Sequence, residues 1–174
     1  MPTIFSHPAI ALLKTFMQRV PKSVVAAGIV GSVLPDADVI SFPLGIPYGS
    51  TFGHRGFTHS IFFALVSSAI ATLIIRPKNR TLAAFLFIFM CSMSHPLLDA
   101  CTNGGMGIAF FSPFSNRRYF FPWRPIEVSP IGAIDVEVLA SEVRWVWLPM
   151  IVVSAIGLLF RRAAAWRIEP RRPS

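Results

Sequence analysis

Four histidines and three aspartates of this 174-residue chain have the types and spacings that hold a divalent metal: His7, Asp36, Asp38, His54, His59, His95 and Asp99. His95 and Asp99 are spaced i, i+4, so on a helix they share one face about one turn apart. The pair offers an imidazole nitrogen and a carboxylate, a mix suited to zinc, manganese or iron. Asp36 and Asp38 follow Pro35, where a helix is expected to break. His54 and His59 sit in FGHRGFTHS, a loop leading into a helix that Thr58 or Ser60 can cap. His7 stands in SHP, at the start of a first short helix. Taken singly, a helix-end histidine is usually a cap and a loop aspartate is usually solvated. Together they account for every histidine and three of the eight acids of the chain.

Five apolar segments must position these residues. Residues 8–19 form a short helix of about 18 Å, too short for a hydrocarbon core of about 30 Å, and so re-entrant or interfacial. Residues 23–42 are apolar up to the Pro35 break. Residues 60–75 and 81–98 flank the basic turn RPKNR, and residues 145–160 run from a tryptophan pair to Arg161 and Arg162. All but five of the sixteen basic residues lie at one end of these segments, the exceptions being Arg55, Arg117, Arg118, Arg124 and Arg144. By the positive-inside rule the crowded end is cytoplasmic, including a basic tail over 161–174. This topology brings the histidines and aspartates to the same, outer layer, although they are scattered over more than ninety positions. Ionisable groups at a membrane edge are costly unless paired or bound to a cation.

Composition agrees with lipid as the solvent. Hydrophobic residues make up 53% of the chain and charged ones 14%, with mean hydropathy +0.60; a soluble domain carries about 25% charged residues. The formal charge is +8, but its basic residues fall in short clusters between apolar runs rather than in a nucleic-acid-binding patch, so no nucleic-acid partner is expected. Cys91 and Cys101 make no disulfide framework. The start MPTIFSHPAIALLKTF has neither a basic n-region nor an A-x-A-like site, so no cleavable signal peptide is expected. The expected fold is therefore all-α: one membrane-embedded domain over 1–174, a helical bundle of four or five membrane-embedded helices with a metal site at one face.

Between the last two spans, FFSPFSNRRYFFPWRPIEVSPIG interleaves aromatic and basic residues. Its rings suit the membrane interface, and Arg117, Arg118 and Arg124 suit an anionic headgroup or phosphate. Arg55, close in sequence to His54 and His59, is a further candidate for holding phosphate. Glu127 and Asp135 are extra candidates as ligands or partners of ligands.

The strings GSVLPDADVI, FGHRGFTHS, SHPLLDACTNGG and PFSNRRYFFPW, taken in order, resemble the YdjM-type family of bacterial inner-membrane proteins. That family is described as LexA-regulated, predicted membrane-bound metal-dependent hydrolases, and the resemblance covers roughly residues 5–160. It implies an inner-membrane location and a hydrolase activity. A more distant similarity is to the all-helical zinc phospholipase C and P1 nuclease group. There an N-terminal histidine, an aspartate, a histidine and an HxxxD pair assemble a metal cluster, matching His7, Asp36 or Asp38, His59, and His95 with Asp99. No histidine follows His95, so one or two ions are expected rather than three.

The resulting expectation is a metal-dependent hydrolase at the outer face of the inner membrane, acting on a lipid-linked phosphoester. Zinc is the first choice of metal, with manganese or iron as alternatives, and membrane lipid is the expected partner. His59, His95 and Asp99 are the first ligands, with His7, Asp36 and His54 next. Asp38, or its neighbour Asp36, orients or deprotonates the water. The competing readings are a structural or sensing metal site and a divalent-metal transporter. The last is weaker, because its ligands are expected near the bilayer midplane rather than at helix ends.

Overall fold

The computed structural model describes residues 2–17, 20–78, 81–128 and 135–168, with side chains as far as residue 163. Among the described residues there is no strand. Five α-helices follow in order: α1 Lys22–Val33, α2 Ile61–Ile75, α3 Thr81–Ala100, α4 Val136–Glu142 and α5 Leu148–Ile168. Shorter 3-10 helices span His7–Phe16, Leu34–Ser41 and Phe57–His59, and a π-helical turn, Val143–Trp147, joins α4 to α5.

Among the described residues, three stretches are long and apolar enough to cross a membrane: Lys22–Ser41, Thr81–Ala100 and Val136–Ala163. Helix α2, with 15 residues, rises about 22 Å and falls short of a full crossing by itself. The chain is a helical bundle of the expected class, with two differences in its elements. The first segment is a 3-10 helix over His7–Phe16 rather than an α-helix over 8–19, of which residues 18 and 19 lie outside the described set. The last span begins at Val136, nine positions before the expected 145. Glu137 and Glu142 hide its start in the hydropathy pattern, but Asp135 caps it by accepting from the Glu137 N–H at 3.1 Å. Its far end stays helical to Ile168, through Arg161 and Arg162 of the expected tail.

The core lies between α1 and α3, where Val24 meets Phe87, Ile88 and Cys91, with Ala11 of the first 3-10 helix beside them. Gly28 makes this approach feasible: a Cβ there would stand 2.8 Å from Phe87 Cε1. Small residues let membrane helices pack closely in this way. The opposite faces expose Val30, Leu73, Ile74, Leu82 and Leu159, as hydrocarbon-facing surfaces should.

Residues 42–60 and 101–128 fold over the helix ends that carry the histidines. They interlock through backbone bonds from Ile61 N–H to the Phe110 carbonyl (3.0 Å), Ala109 N–H to the Arg55 carbonyl (3.1 Å) and Asn103 N–H to the Ile126 carbonyl (3.0 Å). The aromatic segment lies over this cap with Phe114 and Trp123 largely exposed.

Candidate metal centre

Four elements deliver the site. Pro35 converts the end of the first span from α to 3-10 geometry and swings Asp36 and Asp38 inward, where both are buried. Pro35 also has no N–H to return to the Ser32 carbonyl, three residues earlier. His95 Nδ1–H donates to that carbonyl at 2.8 Å. A carbonyl can only accept, so the contact fixes the tautomer and leaves the lone pair of Nε2 facing inward. His59 is set in the same manner by a carboxylate: its Nδ1 lies 3.1 Å from Asp38 Oδ2. Thr58 and Ser60 divide the work expected of either one. Ser60 caps α2 by accepting from Phe63 N–H at 3.0 Å, and the Thr58 hydroxyl donates to Asp38 at 2.7 Å.

The inward-facing atoms converge. His59 Nε2 and His95 Nε2 are 3.1 Å apart. Asp99 Oδ2 lies 3.3 Å from His59 Nε2. Asp36 Oδ1 lies 3.3 Å from His95 Nε2 and 3.8 Å from His59 Nε2. A tetrahedral ion with bonds of about 2.0–2.2 Å needs ligand atoms roughly 3.3–3.6 Å apart. The four residues offer one ligand atom each within 4.8 Å of one another, and Asp36, Asp38 and His54 form a second such group that shares Asp36. The donor chemistry fits a divalent ion, and so does the hydrogen bonding. Neither oxygen of Asp36 or of Asp99 has a hydrogen-bond partner, although both residues are buried. Arg55 stands 3.2 Å from Asp99, whereas Asp36 has only histidines beside it, and a buried carboxylate is expensive without a cation. Burial disfavours charge on His59, yet the neighbouring carboxylates of Asp38 and Asp99 outweigh it and carry its pKa up to about 9. The pocket attracts positive charge.

His7 stacks on His95 with ring centroids 3.7 Å apart, and its Nε2 lies 3.8 Å from Asp36 Oδ2. Burial drives its pKa down to about 3, so the ring is a neutral ligand type. Neither ring nitrogen has a hydrogen-bond partner. His54 Nδ1 is 2.6 Å from Asp38 Oδ1. Asp38 therefore holds both His54 and His59, besides accepting from Arg55 N–H at 3.0 Å and from Thr58. This differs from the expectation that Asp38 handles the water, since both of its oxygens are engaged.

Arg55 also departs from its expected role. Its guanidinium is 1% exposed and points inward. Nε lies 3.2 Å from Asp99 Oδ2, and Nη1 and Nη2 donate to the Gly104 carbonyl at 2.9 Å and the Thr102 hydroxyl at 3.3 Å. A phosphate would have to displace these partners. The Arg55 backbone is left-handed, at φ 61°, an uncommon conformation for a residue with a side chain, and the bond to Asp38 helps to hold it. Gly105 passes over the guanidinium at φ +86°, where a Cβ would lie 2.5 Å from Nη1. Arg118 reaches the carbonyls of Tyr48 (2.8 Å) and His54 (3.1 Å) and ties the two capping loops together. Arg117 is exposed and stacks over Tyr119 at 5.5 Å. Glu127 accepts from Asn103, and Asp135 caps α4; neither lies in the cluster.

The chain matches the YdjM inner membrane protein family over residues 3–167. It belongs to that family. Among similar proteins, the inner membrane protein YbcI of Escherichia coli is 39% identical, over 96% of this chain and 99% of its own length. YvsG of Bacillus subtilis, an uncharacterised protein, is 36% identical over 56% of this chain and 62% of its own. No solved structure matches. Family membership and the three apolar spans place the chain in a membrane of inner-membrane type.

One buried group escaped sequence reading. Glu142 is 2% exposed and accepts from the backbone N–H of Thr3, from the Thr3 hydroxyl at 2.7 Å and from the Ser6 hydroxyl at 2.6 Å. It anchors the segment that carries His7. Its only sequence signal is an acid just ahead of an apolar run, which also suits a solvated helix end.

Proposed function

We propose that this protein is a membrane-bound, metal-dependent hydrolase acting on a lipid-linked phosphoester at the outer face of the inner membrane. The observation that carries this reading is the cluster of Asp36, His59, His95 and Asp99, with carboxylate oxygens that have no hydrogen-bond partner. These four would hold the metal, with zinc favoured by two imidazoles and two carboxylates. The chemistry such a metal supplies when bound is Lewis-acid activation of water and neutralisation of charge on the reacting oxygens. His95 and His59 are held by Ser32 and Asp38 with Nε2 turned inward. Arg55 holds Asp99 in place. His54, whose Nδ1 is engaged by Asp38 at 2.6 Å, forms a histidine–carboxylate dyad suited to moving a proton. The location of eleven of the sixteen basic residues at the other helix ends supports the outer-face assignment.

The test is phosphate or headgroup release from lipid phosphoesters by purified protein, with and without added zinc or manganese. Metal-dependent turnover that is lost in His54→Ala, with metal still bound, supports the assignment. Stoichiometric metal binding with no hydrolysis of any ester contradicts it.

A second reading has its own observation. Asp36, His59, His95 and Asp99 already number four and are all buried, as in closed structural zinc sites. In that case metal removal unfolds the protein and no ester is turned over.

A further inference from the structure

The cluster is sealed on most sides: His7, His59, His95 and Asp99 are each 0% exposed and Asp36 is 7% exposed. A groove of about 480 Å³ reaches it, lined by Ile4, Ile29, Val30, Val33, Leu34 and Asp36. Its volume lies within the range of about 300–1,000 Å³ typical of small-ligand sites. Asp36 is the single charged group in this lining, and it is the residue shared by both ligand groups.

The medium outside the groove decides what can fill it. Ile29, Val30 and Leu34 are exposed at 40%, 61% and 41%, on the face of the Lys22–Ser41 span turned away from α3. A membrane-spanning helix presents that face to hydrocarbon, so a water-soluble ester has no path along it. From Ile29 to Asp36 the span rises about 10 Å, from the apolar interior toward the end that carries the ligands. An acyl chain lying along α1 with its headgroup at Asp36 therefore has the orientation of a lipid in that leaflet. Asp36 is the wall between groove and cluster: the residue lines the groove, and its two oxygens, without hydrogen-bond partners, are turned to the cluster side, Oδ1 3.3 Å from His95 Nε2.

We infer that this groove is an acyl-chain subsite, through which a phospholipid enters sideways from the bilayer and brings its phosphoester to the Asp36 edge of the cluster. The fate of the ester rests on the hydrolase reading above; binding of the chain does not.

The experiment is photolabelling of the full chain in phosphatidylcholine nanodiscs containing phosphatidic acid with a diazirine on its acyl chain, mapped by peptide mass spectrometry. Label is expected to concentrate on residues 29–34. Val30→Trp and Val33→Trp, which fill the groove, should lose most of it, whereas Leu159→Trp on the exposed face of α5 should leave it unchanged. Label spread evenly over the exposed faces of α1, α3 and α5 overturns the subsite, as does labelling that survives both groove variants. The two readings fail separately. Metal-dependent turnover of a soluble phosphodiester without groove labelling removes the subsite and keeps the hydrolase. Groove labelling without hydrolysis of any ester removes the hydrolase and keeps the lipid site.

Discussion

Ser6 and Glu142, 136 positions apart, are joined by a hydrogen bond of 2.6 Å between the Ser6 hydroxyl and Glu142 Oε2. Thr3 adds its hydroxyl and backbone N–H to the same carboxylate. The next residue in sequence after Ser6 is His7, so the last membrane span fixes where the first histidine enters the cluster. The π-helical turn that begins directly after Glu142 is of a kind often found at functional positions.

Glu142→Ala should therefore strand buried donors on Thr3 and Ser6, at about 1–3 kcal/mol for each group left unpaired. The expected result is a lower unfolding midpoint in detergent, together with weaker metal retention. Thr3→Ala with Ser6→Ala leaves the buried Glu142 carboxylate with only the Thr3 N–H and should cost at least as much. Unchanged stability in Glu142→Ala would show that the N-terminal segment is held by other contacts.

Arg55→Lys keeps the charge but loses the fork that spans Asp99, Thr102 and Gly104. Asp99 then loses its orientation, and metal affinity should fall by about 10–100-fold, as for other groups that position ligands. Competition against a chromophoric chelator measures this. Affinity equal to that of the wild type would assign Arg55 to loop structure alone.

Asp38→Asn presents a neutral partner to both His54 and His59. Metal affinity should again fall by about 10–100-fold, and turnover should fall further than affinity because the His54 dyad is broken. Equilibrium dialysis alongside ester hydrolysis separates the two effects. Equal losses in both would remove the proton-moving role from His54.

Orientation has a direct check. Reporter tags after Ile75 and at Ser174 should both give cytoplasmic signals, leaving the cluster on the outer side. A periplasmic signal at either position would reverse the assignment.

Much of this arrangement was legible because few residues carried the chemistry. With four histidines in the chain and an i, i+4 pair on a span, the layer that brings His7, Asp36, His59 and His95 together followed from helix polarity alone. Pro35 marked the break that turns Asp36 inward. The roles within the layer were less legible, because they depend on side-chain direction. Sequence cannot show that Asp38 faces His54 and His59 while Asp36 faces His95 and His7, since two positions along a 3-10 turn point in different directions. Nor can it show that Arg55 turns inward, which follows from its left-handed backbone and from Gly105 across the fold. Glu142 was hidden because its partners lie at the other end of the chain.

Metal content of the detergent-purified protein, measured by mass spectrometry beside His95→Ala and Asp99→Ala, tests the central claim most directly. Wild type should hold about one or two zinc, manganese or iron ions per chain, and both variants should lose them while remaining folded. A folded wild type that takes up no transition metal, even after reconstitution, would contradict the metal centre and leave the cluster as a hydrogen-bonded core of the membrane bundle.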